Sequence, residues 1–158
     1  MTLEERLGLL LSEKGLKIAL AESCTGGLIA KRITDRAGSS AYFEGGLVTY
    51  SNGMKENLLQ VPRSLLETRG AVSREVAEKM ATGARLATGA DLGLSVTGIA
   101  GPDGGTTEKP VGTVFMALAA DTVVVKEHHF AGDRETIRNS TADEALKMAI
   151  DYLEGRTG

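Results

Sequence analysis

Six consecutive residues, Glu22-Ser23-Cys24-Thr25-Gly26-Gly27, put a carboxylate, two hydroxyls, a thiol and two glycines into one turn. The turn joins an apolar, strand-like run to an amphipathic, helix-like run. Three kinds of chemistry suit such a place. A polar side chain can cap the helix. Free backbone N–H groups among glycines at a helix start can cradle an anion, with the Ser23 and Thr25 hydroxyls as further donors. A side chain on a sharp turn can also be a nucleophile. No short motif decides between them: the Gly-Lys-Ser/Thr ending of a phosphate loop, the G-x-G-x-x-G dinucleotide fingerprint and the G-x-S-x-G elbow are all absent. A cysteine at a helix start has its thiolate favoured by the dipole. It still needs a base, and the two histidines, His128 and His129, lie in the last strand-like run, where structural roles are expected. Cys24 therefore reads as a packing residue.

Three further segments carry reactive groups. In "GSSAYFEGGLVTYSNGMK", Ser39 and Ser40 precede a strand-like run, and Tyr50 and Lys55 follow it. A lysine at the start of a short helix meets an unfavourable dipole, and partial burial adds to it. Both effects lower its pKa, and a neutral lysine can deprotonate a serine. In "SVTGIAGPDGG", Thr97 ends a strand-like run and Gly98 begins a loop that lets backbone approach a ligand. Asp103 in that loop reads as an Asx-turn residue. In "GDRETIR", Arg134 and Arg138 are four apart on one helix face, either a phosphate clamp or a solvated pair.

Positioning these groups requires a regular scaffold. Thr2 and Glu5 fit a capping box for a first helix that stops at Gly15. "LKIALAE" reads as a buried strand and "GGLIAKRITD" as a helix. Gly45 to Ser51 reads as a second strand, and Asn52 as the cap of a short helix ending before Pro62. Ser64 to Arg69 is a helical turn, and Ser73 caps a long helix from Arg74 to Gly89. A third strand in "ADLGLSVTGIAG" leads to a hairpin, "TVFMALAA" and "TVVVKEHHF", turning at Ala120-Asp121. Asp133 caps the closing helix, and Arg156 to Gly158 form a tail. Strands alternating with helices predict an α/β fold: a mixed, mostly parallel sheet covered on both faces, with one antiparallel hairpin strand. Such sheets bind ligands at the carboxyl ends of their strands, where three of the segments above converge.

The 158 residues suit one domain, 1–158, with a core that needs no disulfide. A net charge of −3 and 4% aromatic residues without Trp give no pull toward nucleic acid or a base-stacking surface. One cysteine allows no internal disulfide, and no zinc spacing is present. No apolar run approaches the ~20 residues of a membrane span, and the acidic N-terminus is unlike a signal peptide. No membrane partner is expected, and a cytoplasmic location is.

Taken together and in order, "AESCTGGLIAKRIT", "AGSSAYFEGGLVTYSNGMK", "GAVSREVAEKMATGA", "SVTGIAGPDGG" and "KPVGTV" resemble the CinA C-terminal domain, the nicotinamide mononucleotide deamidase family. The resemblance runs from about Leu16 to Arg138 and is to the stand-alone form, without the extra N-terminal domain of longer members. It implies a three-layer α/β/α sandwich, no metal or other cofactor, and a homodimer or larger homo-oligomer. The implied reaction hydrolyses the carboxamide of nicotinamide mononucleotide to nicotinic acid mononucleotide and ammonia, in pyridine nucleotide recycling. The implied serine–lysine dyad falls on Ser40 and Lys55, with Tyr50 orienting it or sharing the proton relay, and Ser39 as the alternative serine. Ser23, Thr25, Gly26, Thr97 and Gly98 are the implied substrate contacts, and Arg134 or Arg138 the phosphate contact. An inactive nucleotide-binding module of the same fold is the competing expectation.

Overall fold

A computed structural model describes residues 1–156; of the expected tail, Thr157 and Gly158 lie outside the described residues. The elements follow as α1 (Leu3–Lys14), β1 (Ile18–Glu22), α2 (Leu28–Thr34), a 3-10 turn (Ser39–Ala41), β2 (Phe43–Val48), α3 (Asn52–Leu59), α4 (Arg63–Arg69), α5 (Arg74–Thr88), β3 (Leu92–Gly98), β4 (Thr113–Ala119), β5 (Val123–His129) and α6 (Arg134–Leu153). The capping box of Thr2 and Glu5 and the left-handed Gly15 bound α1 as expected. The Ser73 and Asp133 side chains cap α5 and α6. At α3 the cap is Ser51, which accepts from the Met54 N–H, and not Asn52. The reason is that β2 ends at Val48, before the expected boundary, which leaves Ser51 extended and free to cap.

The sheet order is β2-β1-β3-β4-β5. β1 pairs parallel with both β2 and β3, and β4 pairs antiparallel with β3 and β5. Only β4 thus opposes the other strands, the antiparallel hairpin strand expected from sequence. Alternation along the strands divides the core. Ile18, Leu20, Leu94, Val96 and Met116 face one layer with Leu7, Leu11, Ile29, Ile33, Leu146 and Ala149 of α1, α2 and α6. Ala21, Ala117 and Ala119 face the other, with Val76, Ala77, Met80 and Ala81 of α5 and Leu59 of α3. The result is the three-layer α/β/α sandwich.

The second layer is packed closely, and this places α3. A Cβ at Gly83 on α5 would sit 2.2 Å from the Leu59 carbonyl oxygen at the end of α3. Gly83 therefore lets α3 rest directly on α5, which brings Lys55, one turn back along α3, under the carboxyl end of β1.

Candidate active site

The carboxyl ends of β1, β2 and β3 surround a cavity of about 200 Å³ lined by Ser23, Cys24, Tyr50, Lys55, Ala71, Val72, Thr97, Gly98, Ala100 and Arg134. Its centre is Lys55, which is 1% exposed. The Lys55 Nζ lies 3.0 Å from Ser23 Oγ, 2.8 Å from the Thr49 carbonyl oxygen and 3.3 Å from the Tyr50 carbonyl oxygen. An ammonium donates all three of its protons to these oxygens. A neutral amine keeps two N–H groups on the carbonyls, which aims its lone pair at the Ser23 hydroxyl. Burial lowers the Lys55 pKa from 10.5 to about 8, with the neighbouring Cys24 pulling slightly the other way. A serine hydroxyl held against a lysine that is readily neutral is the arrangement of an activated nucleophile and its base.

The expected Ser40–Lys55 pair is corrected by this geometry. Ser40 is exposed in the 3-10 turn that precedes the amino end of β2, whereas Lys55 follows its carboxyl end. A six-residue strand separates them, roughly 20 Å at the usual rise of a strand. Ser39, the alternative serine, is buried in that same distant turn. The serine that meets Lys55 is Ser23, because β1 and β2 run parallel in a register pairing Glu22 with Val48. Both following loops therefore open at one end of the sheet.

The rest of the opening turn is explained by Glu22. Its buried carboxylate accepts from the Thr25 hydroxyl at 2.6 Å and from the Ile29 and Ala30 N–H groups, each at 3.0 Å. These are backbone donors of the first turn of α2, so the carboxylate occupies the place an anion would take. The expected contacts from Thr25 and Gly26 to substrate are not formed by this geometry. Thr25 is turned inward to Glu22, the Gly26 N–H donates to the Ser23 carbonyl, and neither residue lines the cavity. Replacing Glu22 by Gln leaves one carbonyl oxygen for three donors. Glu22→Gln is expected to lower unfolding stability by about 1–3 kcal/mol, measured by urea denaturation. An unchanged midpoint and slope would remove this capping role.

Cys24 is buried, and burial pushes its thiol up to about 11, aided by the Glu22 charge. It stays a protonated packing residue at neutral pH. His128 stacks on Phe130 with ring centroids 5.2 Å apart, and His129 pairs with Glu127. Both belong to β5, two strands beyond β3, and take no part in the cavity. The Thr97 hydroxyl donates to the Ala71 carbonyl at 2.9 Å, tying the end of β3 to the loop before α5. Ala71 and Val72 are wall residues that sequence reading passed over. They lie in "GAVS", whose position just ahead of the Ser73 cap was the available signal.

The two arginines are separated by the structure. Arg134 lines the cavity, donating to the Gly101 carbonyl at 2.9 Å and to the Tyr50 hydroxyl at 3.1 Å. Tyr50 is 60% exposed, so this pair stands at the mouth. Arg138, one turn further along α6, donates to the Cys24 carbonyl at 3.1 Å and the Thr25 carbonyl at 2.8 Å. Among the described residues no helix is long and apolar enough to cross a membrane, and no group of three or more His, Cys, Asp or Glu side chains is placed to hold a metal ion.

Comparison with known proteins agrees with this architecture. A CinA-like protein of Geobacter sulfurreducens is 62% identical over 98% of the chain, and one of Leptospira biflexa is 53% identical over 88%. The chain spans only 37% and 34% of these relatives' lengths. Among solved structures, the competence/damage inducible protein CihA of Agrobacterium tumefaciens superposes with a TM-score of 0.93 at 44% identity, covering 96% of this chain and 93% of that one. The competence damage-inducible protein A of Klebsiella pneumoniae superposes with a TM-score of 0.94 at 34% identity, covering 98% and 97%. The family model of the CinA C-terminal domain matches residues 1–153, and the chain belongs to that family.

Proposed function

We propose that the chain is an amidohydrolase that converts nicotinamide mononucleotide and water to nicotinic acid mononucleotide and ammonia through Ser23 and Lys55. The observation that carries this reading is the buried Lys55 Nζ, 3.0 Å from Ser23 Oγ, with its other hydrogen-bonding directions taken by two carbonyls. Ser23 Oγ attacks the amide carbon while Lys55 takes the hydroxyl proton. The new C–O bond gives a tetrahedral intermediate. Lys55 returns the proton to the amide nitrogen, the C–N bond breaks and ammonia leaves. Water then adds to the Ser23 ester with Lys55 again as base, and nicotinic acid mononucleotide departs as Ser23 regains its proton.

The substrate assignment rests on the sequence resemblance and on the shape of the site. The cavity of about 200 Å³ is smaller than a typical ligand pocket. It suits a flat pyridine carboxamide within, leaving the ribose phosphate to the open side. Arg134 stands there with Tyr50, a cation placed for the phosphate. Binding energy from that distant group would serve to orient the reacting amide.

Ammonia release from nicotinamide mononucleotide by the purified protein tests the reading. No release at any pH between 7 and 9 would remove the proposed substrate. Arg134→Ala is expected to raise KM by about 10- to 100-fold with kcat little changed, as for loss of a charge-assisted ground-state contact. A KM equal to that of the unsubstituted protein would take the phosphate away from Arg134.

A further inference from the structure

Arg138 does not line the cavity, yet its guanidinium reaches from α6 to the turn that carries Ser23. Its Nε and Nη2 donate to two successive carbonyls, those of Cys24 and Thr25. The preceding carbonyl, that of Ser23, accepts from the Gly26 N–H at 3.0 Å. Every carbonyl from Ser23 to Thr25 is therefore held. In a trans peptide the N–H points opposite to the C=O of the same plane. The bond to the Cys24 carbonyl fixes the Thr25 N–H directly. The bond to the Thr25 carbonyl, which also accepts from the Leu28 N–H at 3.1 Å, sets the Gly26 N–H of the same plane. That N–H holds the Ser23 carbonyl and through it the direction of the Cys24 N–H. Among the described residues neither the Cys24 nor the Thr25 N–H donates to a protein acceptor. Cys24 follows the serine and lines the cavity.

We propose that Arg138 is a positioning residue: it locks the Ser23–Gly26 turn so that Ser23 Oγ meets Lys55 and the Cys24 N–H is presented to the oxygen of the carbonyl under attack. This inference rests on the proposed serine mechanism and assigns Arg138 a place in it distinct from phosphate binding. The lock is specific to a guanidinium. Two donors in a fixed fork hold two peptide planes at once, and a lysine offers one point charge. The space is also fitted to it, since a Cβ at Gly26, whose φ is +57°, would lie 3.3 Å from Arg138 Nη2. A residue with a side chain at position 26 would be strained in its backbone and press on the guanidinium. With the lock removed, the turn relaxes and the nucleophile and its donor lose their common alignment. Misplacement by about 1 Å in such a constellation costs on the order of 100-fold in rate. Substrate affinity, set at the mouth by Arg134, is left in place.

The test compares Arg138→Ala and Arg138→Lys with the unsubstituted protein in two assays. The first is ammonia release from nicotinamide mononucleotide. The second is the rate at which a fluorophosphonate probe labels Ser23, with the site of labelling located by peptide mass. Arg138→Ala is expected to lower both kcat and the labelling rate by about 10- to 100-fold with KM within about twofold, and Arg138→Lys to fall between. A KM that rises at constant kcat would make Arg138 a phosphate contact and overturn the proposal. So would kcat and labelling rates that match the unsubstituted protein in folded Arg138→Lys, which keeps the charge if the alanine variant does not fold. The probe contains no nicotinamide nucleotide, so if that substrate fails, the labelling rate still decides whether Arg138 positions the turn.

Discussion

Ser23→Ala is expected to lower kcat for the proposed ammonia release from nicotinamide mononucleotide by at least about 1,000-fold, and Ser40→Ala to leave kcat and KM within about twofold. The first half follows from the contact at 3.0 Å between Ser23 Oγ and Lys55 Nζ. Without the hydroxyl there is no oxygen to form the ester, and the surviving rate is that of water placed beside a base and a bound amide. The second half follows from the far end of the sheet. Ser40 is exposed in the turn before β2, a strand's length from Lys55. Ser23→Ala also takes one acceptor from the buried Lys55 ammonium, at a cost of about 1–3 kcal/mol, and leaves the backbone of the turn intact. The lost methyl-sized hydroxyl faces a cavity, and the Ser23 N–H bond to the Val96 carbonyl belongs to the backbone. A single cooperative thermal transition well above the assay temperature, beside the lost activity, would therefore be read as chemistry. Activity retained in Ser23→Ala and lost in Ser40→Ala would return the dyad to the other serine.

The scaffold was legible because its signals are local. The box of Thr2 and Glu5, the caps at Ser73 and Asp133 and the two strand-like runs of the hairpin with their tight turn each act within a few residues, and the elements stand where those residues put them. For the lysine the local signal was partial: a place near the start of a short helix argues for a lowered pKa, but the cause that acts in the fold is burial, and it was the family resemblance that singled the residue out. What could not be read was which serine Lys55 meets. Ser40 is closer in sequence, fifteen residues from Lys55 against thirty-two for Ser23, but sequence distance says nothing about which end of a strand a loop occupies. Parallel pairing of β1 and β2 decides it by turning both carboxyl ends the same way. The role of Glu22 was hidden by the same kind of step. As the last residue of β1 it reads like a polar boundary, and only the folding back of α2 onto it shows three donors aimed at its carboxylate. Arg134 and Arg138 share a helix face, as their spacing requires, but one turn of rise is enough to put one at the mouth and the other against backbone carbonyls.

Lys55→Met is expected to abolish the proposed ammonia release and to make the protein more stable at pH 7. Both effects come from one burial. An ordinary lysine holds its proton to a pKa of 10.5, and in the folded chain Lys55 gives it up at about 8. Below pH 8 the folded and unfolded chains both carry the proton, and the folded state bears the full penalty of an ammonium held out of water. A displacement of this size corresponds to about 3 kcal/mol. Between pH 8 and 10.5 the unfolded chain still holds a proton that the folded chain has released, so stability rises with pH across that window. Methionine fills similar space without the charge and leaves the Thr49 and Tyr50 carbonyls short of one donor, which offsets part of the gain. The expected net is about 1–2 kcal/mol of added stability for Lys55→Met at pH 7, shrinking as pH approaches 10.5. The proposed activity of the unsubstituted protein is expected to run the same way for the same reason. With a pKa of about 8, only about one tenth of Lys55 is neutral at pH 7, and kcat/KM for the proposed reaction is expected to climb toward a plateau above pH 8. Urea denaturation of both proteins at pH 7 and pH 10, beside the pH dependence of kcat/KM, measures the two consequences together. A variant less stable than its parent at pH 7, with a rate profile flat from pH 6 to 9, would mean that Lys55 is held charged by its three oxygens and is not the base. A stabilised and inactive variant would show that the fold carries a destabilising lysine at its centre because the chemistry needs a neutral amine beside Ser23.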